Sequence, residues 1–541
     1  MSLEERRRKE REKREEEKKE VDCMSNTNTN ANMNTSKDTP ASVLAAVSGV
    51  YRGHSQFIAL KGILAAMITG EPILLIGSHG TFKSSMAHFM GNIFEKPVFT
   101  VSTDARSFGE IERFFEDLGK ELNVSPELLM QNRADGVDVV YQDYPGYTRV
   151  RATVDLTKHP VRRDDARMVP ITVFSRQVND QIDPEDLLGY GVQHRAVLGD
   201  KPPHVVKAGK LAGADLVILD EAFTSPRLLN KLHTVMNEKV VETTVGPVRI
   251  SPLCFIFCTN PWSQYYQTNV KLVNAATLDR FLMSVPTDPP SGAEILAVVE
   301  ALRAVQIRGR APVEMIYEAR REMERVEVPP DILRFCLGLV AALSTCYFSP
   351  SSGSVAKSPM NPFMVDRDCT LCRYKNAICS IASIGKVRSL LSLKRVMAAS
   401  AVIRGSRTAD GADLEFALRT VLPHRLVFND AAFLAEAGTI HNAVVRLVNR
   451  YVDDMERYAP HLEKMMDLPA NPTWQQVESL MKEVQDAPPL RAILDDIILM
   501  MKETCEKKGE RIPDAFAEHI RIGEAIGAFT PKAPRTAQKA P

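Results

Sequence analysis

The stretch Gly77-Ser78-His79-Gly80-Thr81-Phe82-Lys83-Ser84 limits what this chain can fold into more than any other, because of what flanks it. Before it, Ile73–Ile76 is a short, fully apolar run that reads as a buried parallel strand. After it, from Ser84 to about Phe94, the sequence reads as an amphipathic helix. Strand, glycine-bearing loop and helix in that order make a cradle for phosphate. Loop N–H groups point inward, and the helix N-terminus adds its positive dipole. In such a cradle Gly77, Ser78, His79, Gly80, Thr81 and Phe82 wrap the β-phosphate, Lys83 neutralises the β- and γ-phosphates, and the Ser84 hydroxyl holds magnesium. The usual pattern carries glycine just before the lysine; here that place is taken by Phe82.

A second apolar run, Leu216–Leu219, ends in Asp220-Glu221. A strand end delivers both carboxylates to the carboxyl edge of a parallel sheet, where a phosphate loop also sits. Asp220 is then the magnesium partner and Glu221 the general base for an attacking water. Two further polar positions fit the pattern. Asn260 closes the apolar run Phe255–Cys258 with a side-chain amide able to orient that water. Arg280 follows a helical segment, and from there would serve the γ-phosphate of a neighbouring subunit in a ring.

These strands are separated by helical segments, which predicts an α/β fold: a three-layer αβα core around a parallel sheet. That core is expected over 41–287. A helix over 55–69 precedes the first strand, and Pro170–Phe174 reads as another strand, with a helix starting at Pro184–Leu188. Residues 97–168 read as an insertion, with one helix around Phe108–Leu122 and an otherwise polar remainder. That remainder holds Tyr141, Tyr144 and Tyr147 and a basic run at Arg149, Arg151, Arg162 and Arg163. Past Pro286 the chain reads as helical throughout. A helical lid is expected over 288–428, broken at Ser349–Pro362, and a C-terminal helical region over 429–530, with helices at Thr439–Tyr458 and Trp474–Val484. Residues 1–40, a charged arm and a polar linker, and the tail 531–541 are expected to be disordered.

Lysine plus arginine numbers 68 and aspartate plus glutamate 68, so net charge supplies no bulk attraction to nucleic acid or membrane. No stretch approaches the ~20 apolar residues that span a bilayer. The N-terminus is charged and does not read as a secretory signal, so a cytoplasmic protein is expected.

The order of these motifs resembles the MoxR family of AAA+ ATPases, in a clade that includes magnesium chelatase subunits. Gly77–Ser84 is similar to the family's phosphate loop, where alanine often stands at the place of Phe82. Leu219–Ala222, Thr259–Pro261 and Leu278–Leu282 are similar to its Walker B, sensor 1 and arginine-finger segments. Arg388, within Gly385–Arg404, matches its sensor 2 arginine, and Leu422–Leu426 resembles the segment closing its lid. The resemblance covers roughly 41–428, apart from 97–168 and the cysteine region. It implies ATP and magnesium as cofactors and a hexameric ring that remodels a client protein, often with a separate von Willebrand A-domain partner. It also implies a hairpin at about Tyr190–Val206, with His194, Arg195, Lys201 and His204 available to face a pore.

The nine cysteines are unevenly spread. Cys369, Cys372 and Cys379 form C-x2-C-x6-C, and Cys346 upstream is a candidate fourth ligand. Four thiolates suit a [4Fe–4S] cluster or tetrahedral zinc, and reduced cysteines without metal stay open. Cys254, Cys258 and Cys336 lie on apolar stretches and read as core residues. Two other functions stand beside client remodelling. One is a nucleic-acid-linked motor, drawn from the cysteines and from the arginines with nearby tyrosines. The other is a nucleotide-binding scaffold with little turnover, drawn from Phe82.

Overall fold

The computed structural model describes residues 39–525 apart from internal stretches, chiefly 180–188, 194–203, 261–274, 301–310 and 345–377. The N-terminal arm, the C-terminal tail, the expected helix start at Pro184–Leu188, and His194, Arg195 and Lys201 of the expected hairpin lie outside the described residues.

Thr39 caps helix α1 (Pro40–Ser48), which leads to α2 (His54–Thr69), strand β1 (Ile73–Ile76), the loop and α3 (Lys83–Asn92). Next come the long strand β2 (Phe94–Ala105), helices α4 (Phe108–Leu122) and α5 (Pro126–Met130), the hairpin of β3 (Val137–Tyr144) and β4 (Tyr147–Asp155), and β5 (Arg167–Pro170). Strand β6 (Val173–Gln177) follows, then the antiparallel pair β7 (Gly189–Gln193) and β8 (His204–Ala208), which matches the expected hairpin, and β9 (Leu216–Asp220). The antiparallel pair β10 (Val240–Thr243) and β11 (Gly246–Arg249) precedes β12 (Cys254–Thr259), the short α6 (Ala275–Leu278), β13 (Met283–Pro286), β14 (Ala311–Pro312) and α7 (Glu314–Met323).

The central sheet has five parallel strands in the order β13-β1-β12-β9-β6. Its inner strands β1, β12 and β9 are apolar runs, as suits strands covered on both faces, whereas the edge strand β6 is exposed from Ser175 onward. On one face α2 and α3 lie against the strands; a side chain added at Gly91 of α3 would strike Val173 and Leu216, so glycine permits the close approach. On the other face Leu74, Val217, Leu219, Phe255 and Phe257 pack with Leu229, Leu232, Val235 and Met236 at helical spacing. Burial of each such side chain contributes about 1.5–3 kcal/mol. The expected three-layer α/β core with a phosphate loop is therefore the fold observed.

The segment 97–168 differs from its sequence expectation. The helix Phe108–Leu122 has the expected bounds, but the remainder is β-structure. A second sheet runs β14-β2-β4-β3, with β5 also paired to β2. Its core alternates: Val137, Val139 and Tyr141 on β3 and Val150, Ala152 and Val154 on β4 pack with Ile111, Phe115 and Leu118 of α4. The intervening polar residues made the stretch read as polar on average. Pro170–Phe174, expected as one strand, instead spans the end of β5 and the start of β6, which belong to different sheets. The chain past Pro286 is not wholly helical either. Ala311–Pro312 joins β2, and Ala382–Ser383 pairs with Val427–Phe428.

The second sheet is fastened to the central one by a buried ion cluster. Lys96 Nζ on β2 lies 2.9 Å from Asp155 Oδ2 and 2.7 Å from Asp215 Oδ1, just before β9. Asp215 Oδ2 also accepts from the Thr172 amide at 2.7 Å.

The chain divides into two compact units. One holds the residues up to Glu327 together with Ala398–Ala409; the other holds Val328–Met397 and the residues from Asp410 onward. In the second unit, α8 (Pro330–Ser344) meets α9 (Ile440–Met466) where Tyr451 packs edge-on against Phe335, ring centroids 5.5 Å apart. Farther along, Val477, Leu480, Leu494, Ile498, Phe516 and Ile520 form a small core of their own.

Candidate nucleotide site

Parallel register gathers the polar residues at one sheet edge. Leu75 pairs with Cys258, Cys258 with Asp220, and Asp220 with Gln177. One step further, the loop starts after Ile76, Asn260 follows Thr259, and Glu221 follows Asp220. Gly80, Thr81, Phe82, Lys83, Ser84, Ser85, Gln177, Asp220, Glu221 and Asn260 line a cavity of about 320 Å³ there. Such a volume falls in the range of small-molecule sites.

The loop is held on both sides. Gly77 N donates to Thr259 O at 3.1 Å, and Thr287 N donates to Ile76 O at 2.7 Å. The hydroxyls of Thr81 and Thr287 are 2.9 Å apart and buried. A side chain at Gly77 would come within 2.0 Å of Thr287 Oγ1, so only glycine fits. Gly80 has φ +80°, a left-handed conformation that glycine adopts without cost. His79 lies outside the described residues. Helix α3 begins at Lys83, so the first amides of the helix have no partner within it, and Lys83, Ser84 and Ser85 line the cavity.

Phe82 occupies the left-handed region, φ 63° and ψ 13°, where glycine usually stands. For a residue with a Cβ this costs of order 1–3 kcal/mol. The loop is thus formed with Phe82 in place. Glu221 is a second such residue, at φ 51° and ψ 38°. Two strained residues on one cavity are an arrangement that functional sites tolerate and packing alone does not require.

Lys83 is 8% exposed, and its ammonium donates to Gly77 O at 2.7 Å and Ser78 O at 2.8 Å. Burial pulls its pKa below the ordinary amine value, while Cys258, Asp220 and Glu221 oppose that shift. Ser84 Oγ donates to Asp220 Oδ2 at 2.6 Å, and Asp220 Oδ1 accepts from the Glu221 amide at 3.0 Å. Beneath them Cys258 is fully buried, and burial pushes its thiol up to about 12, so it is an inert core residue. Cys254 and Cys336 are likewise buried. A hydroxyl and a carboxylate in contact form an oxygen pair of the kind magnesium prefers, so these residues fit that ion.

Gln177 was missed in the sequence. Its Nε2 donates to Glu221 Oε2 at 3.0 Å, from the end of the neighbouring strand. The expected strand ends at Phe174, and the exposed polar run Ser175-Arg176-Gln177 carries no apolar alternation that would extend it. Thr287 was missed too, because nothing near it in sequence links it to the loop.

The other expected residues are not among those that line the cavity. Arg280 is half-buried between α6 and β13 and is not part of the cavity lining. Arg388 lies exposed on the helix Lys386–Ile403, in the second unit. Cys346, Cys369 and Cys372 lie outside the described residues, as does the side chain of Cys379 on the short helix Ile378–Ile381. Among the described residues, no group of three or more His, Cys, Asp or Glu is placed to hold a metal ion. Among them too, no helix is long and apolar enough to cross a membrane.

Two arginines of the basic run beside the tyrosines are paired with carboxylates. Arg149 Nε and Nη2 bind Asp104 at 2.6 and 2.8 Å, beside the stacked rings of Tyr144 and Tyr147. Arg163 binds Asp165 and Glu121.

No protein-family model matches the chain, and neither does any curated protein. Solved structures that align with the chain include two of low identity. One is a candidate ATPase from Cytophaga hutchinsonii, 16% identical, covering 75% of this chain and 92% of its own, with a TM-score of 0.47. The other is a full-length MCM homolog from Methanopyrus kandleri, 11% identical, covering 70% of this chain and 56% of its own, with a TM-score of 0.36. The class defined by the fold and the cavity is an α/β phosphate-loop protein with an added helical region.

Proposed function

We propose that this protein is an AAA+ ATPase, similar to the MoxR family, that couples ATP hydrolysis in a ring to the remodelling or maturation of a client protein. The observation that supports it is the convergence of Lys83, Ser84, Asp220, Glu221 and Asn260 on one cavity at the carboxyl edge of the sheet. Lys83 would leave the carbonyls of Gly77 and Ser78 for the β- and γ-phosphates, exchanging neutral acceptors for anionic ones. Magnesium held by Ser84 and Asp220 would neutralise phosphate charge. Glu221 would take the proton of the attacking water, with Asn260 orienting that water and Gln177 fixing the carboxylate. Arg280 would act on the site of a neighbouring subunit, and Arg388 is carried over from the family resemblance as a sensor 2 arginine. The ring is expected to be a hexamer, and a separate von Willebrand A-domain protein is a candidate partner.

The nucleic-acid reading loses support because Arg149 and Arg163 already hold carboxylates. The scaffold reading loses support because Phe82 adopts the backbone conformation that a glycine would.

Phosphate release from ATP tests the proposal. Glu221→Gln should retain ATP binding and lose turnover by about 100-fold or more, the usual worth of a general base. Lys83→Ala should lose binding. Arg280→Ala should bind ATP but turn over slowly. Undiminished turnover in Glu221→Gln would reject the assignment.

A further inference from the structure

Phe82 is where this chain departs from the usual loop, and its neighbours show how the departure is sustained. Glycine enters the left-handed region freely, whereas a Cβ disfavours it. Something must therefore hold Phe82 at φ 63°. Its ring lies edge-on to Tyr51, centroids 5.8 Å apart and planes at 64°. Tyr51 also packs edge-on to Phe89, about two turns along α3, at 5.7 Å and 78°. Tyr51 is 1% exposed, and its amide donates to Val47 O at 3.3 Å, so it is fixed to the last turn of α1. Both edge-to-face geometries are the favoured ones for aromatic pairs. One ring thus ties the residue before α3 to the helix itself and anchors both to α1.

We propose that Tyr51 is a positioning residue: by clamping Phe82 in the left-handed conformation it keeps the amides at the start of α3 set for the phosphates of a nucleotide. The inference rests on the ATP-binding reading above. A glycine loop stays free to order on its ligand. A clamped phenylalanine meets that cost at folding, so the site is preorganised. Tyr51 and Phe82 then form a unit in which neither residue works without the other, except that glycine at position 82 needs no clamp.

The test is a cycle of Tyr51→Ala, Phe82→Gly and the double variant, with Tyr51→Phe as the conservative control. Two readouts are used: hydrogen exchange of the amides of residues 80–85 in nucleotide-free protein, and affinity for a fluorescent ATP analogue with magnesium. Tyr51→Ala should speed exchange in the loop and weaken binding by about tenfold, as release of one strained residue allows. Tyr51→Phe should change neither readout. The double variant should bind more tightly than Tyr51→Ala, because glycine holds the conformation unaided. Equal losses in Tyr51→Ala and the double variant would overturn the proposal, and so would no loss in either readout. Should Tyr51→Ala fail to fold, Tyr51→Leu keeps most of the packed volume without the ring edge and enters the same cycle. Failure of the unsubstituted protein to bind the analogue would reject the ATP reading. The exchange comparison would still decide the role of Tyr51.

Discussion

Ser84 Oγ and Asp220 Oδ2 are joined by a 2.6 Å hydrogen bond across 136 positions of sequence. It spans the first turn of α3 and the end of β9 and keeps together two oxygens suited to one divalent cation. A hydrogen bond to a charged group is worth about 1.5–3 kcal/mol. Ser84→Ala should therefore weaken magnesium-dependent nucleotide binding by about tenfold to a hundredfold and leave magnesium-free binding nearly unchanged. Titrations with and without magnesium check this; equal losses in both would reject the cation role.

Gln177 donates to Glu221 from the adjacent strand, and Glu221 itself sits in a strained backbone conformation. Gln177→Ala should free the carboxylate to leave its set direction. Turnover should fall about tenfold while ATP affinity holds, the signature of a residue that serves the chemical step and not binding. A rise in KM without a change in kcat would assign Gln177 to nucleotide binding instead.

Lys83 titrates below the ordinary amine value of 10.5 because burial disfavours its charge, against opposition from Cys258, Asp220 and Glu221. Between its folded value and 10.5 the unfolded chain binds more protons, so stability rises with pH in that window. Below both values the gain is absent. In nucleotide-free protein this rise should be smaller in Lys83→Met than in the parent. Urea unfolding at neutral pH and near pH 10 measures the difference, and identical slopes would refute it.

Lys96 shows the opposite sign. Burial works against its charge, but Asp215 and Asp155 more than offset that and hold its pKa above the ordinary value. The stability it contributes is present below the ordinary amine range and is lost as pH rises through the raised folded value. Lys96→Met would leave two carboxylates, 5% and 8% exposed, without their cation. The expected cost is about 3–5 kcal/mol by chemical denaturation. A loss no larger than that of an exposed pair would show that the two sheets are held by other contacts.

The phosphate loop and the carboxylate pair are legible in the sequence because of local physics. Strands buried on both faces read as unbroken apolar runs, and Ile73–Ile76 and Leu216–Leu219 are such runs. The loop residues and the two acids follow directly at the strand ends. Nothing tertiary is needed to see that a chain like this has a phosphate loop in an α/β core. The β-structure of 97–168 was harder to read, because Val137, Val139, Val150 and Val154 alternate with polar residues and the average hides the alternation.

Which strands are neighbours is a different matter. The order β13-β1-β12-β9-β6 sets Gln177 beside Asp220 and Thr287 against the loop, and no local pattern encodes that order. Phe82 makes the same point most sharply. By sequence it is a misplaced residue in a glycine-rich loop. Only the fold brings Tyr51, from the turn after α1, against its ring. The backbone preference of a residue is local and can be read one position at a time. The packing that overrides it comes from residues far along the chain, which meet only once the sheet has formed.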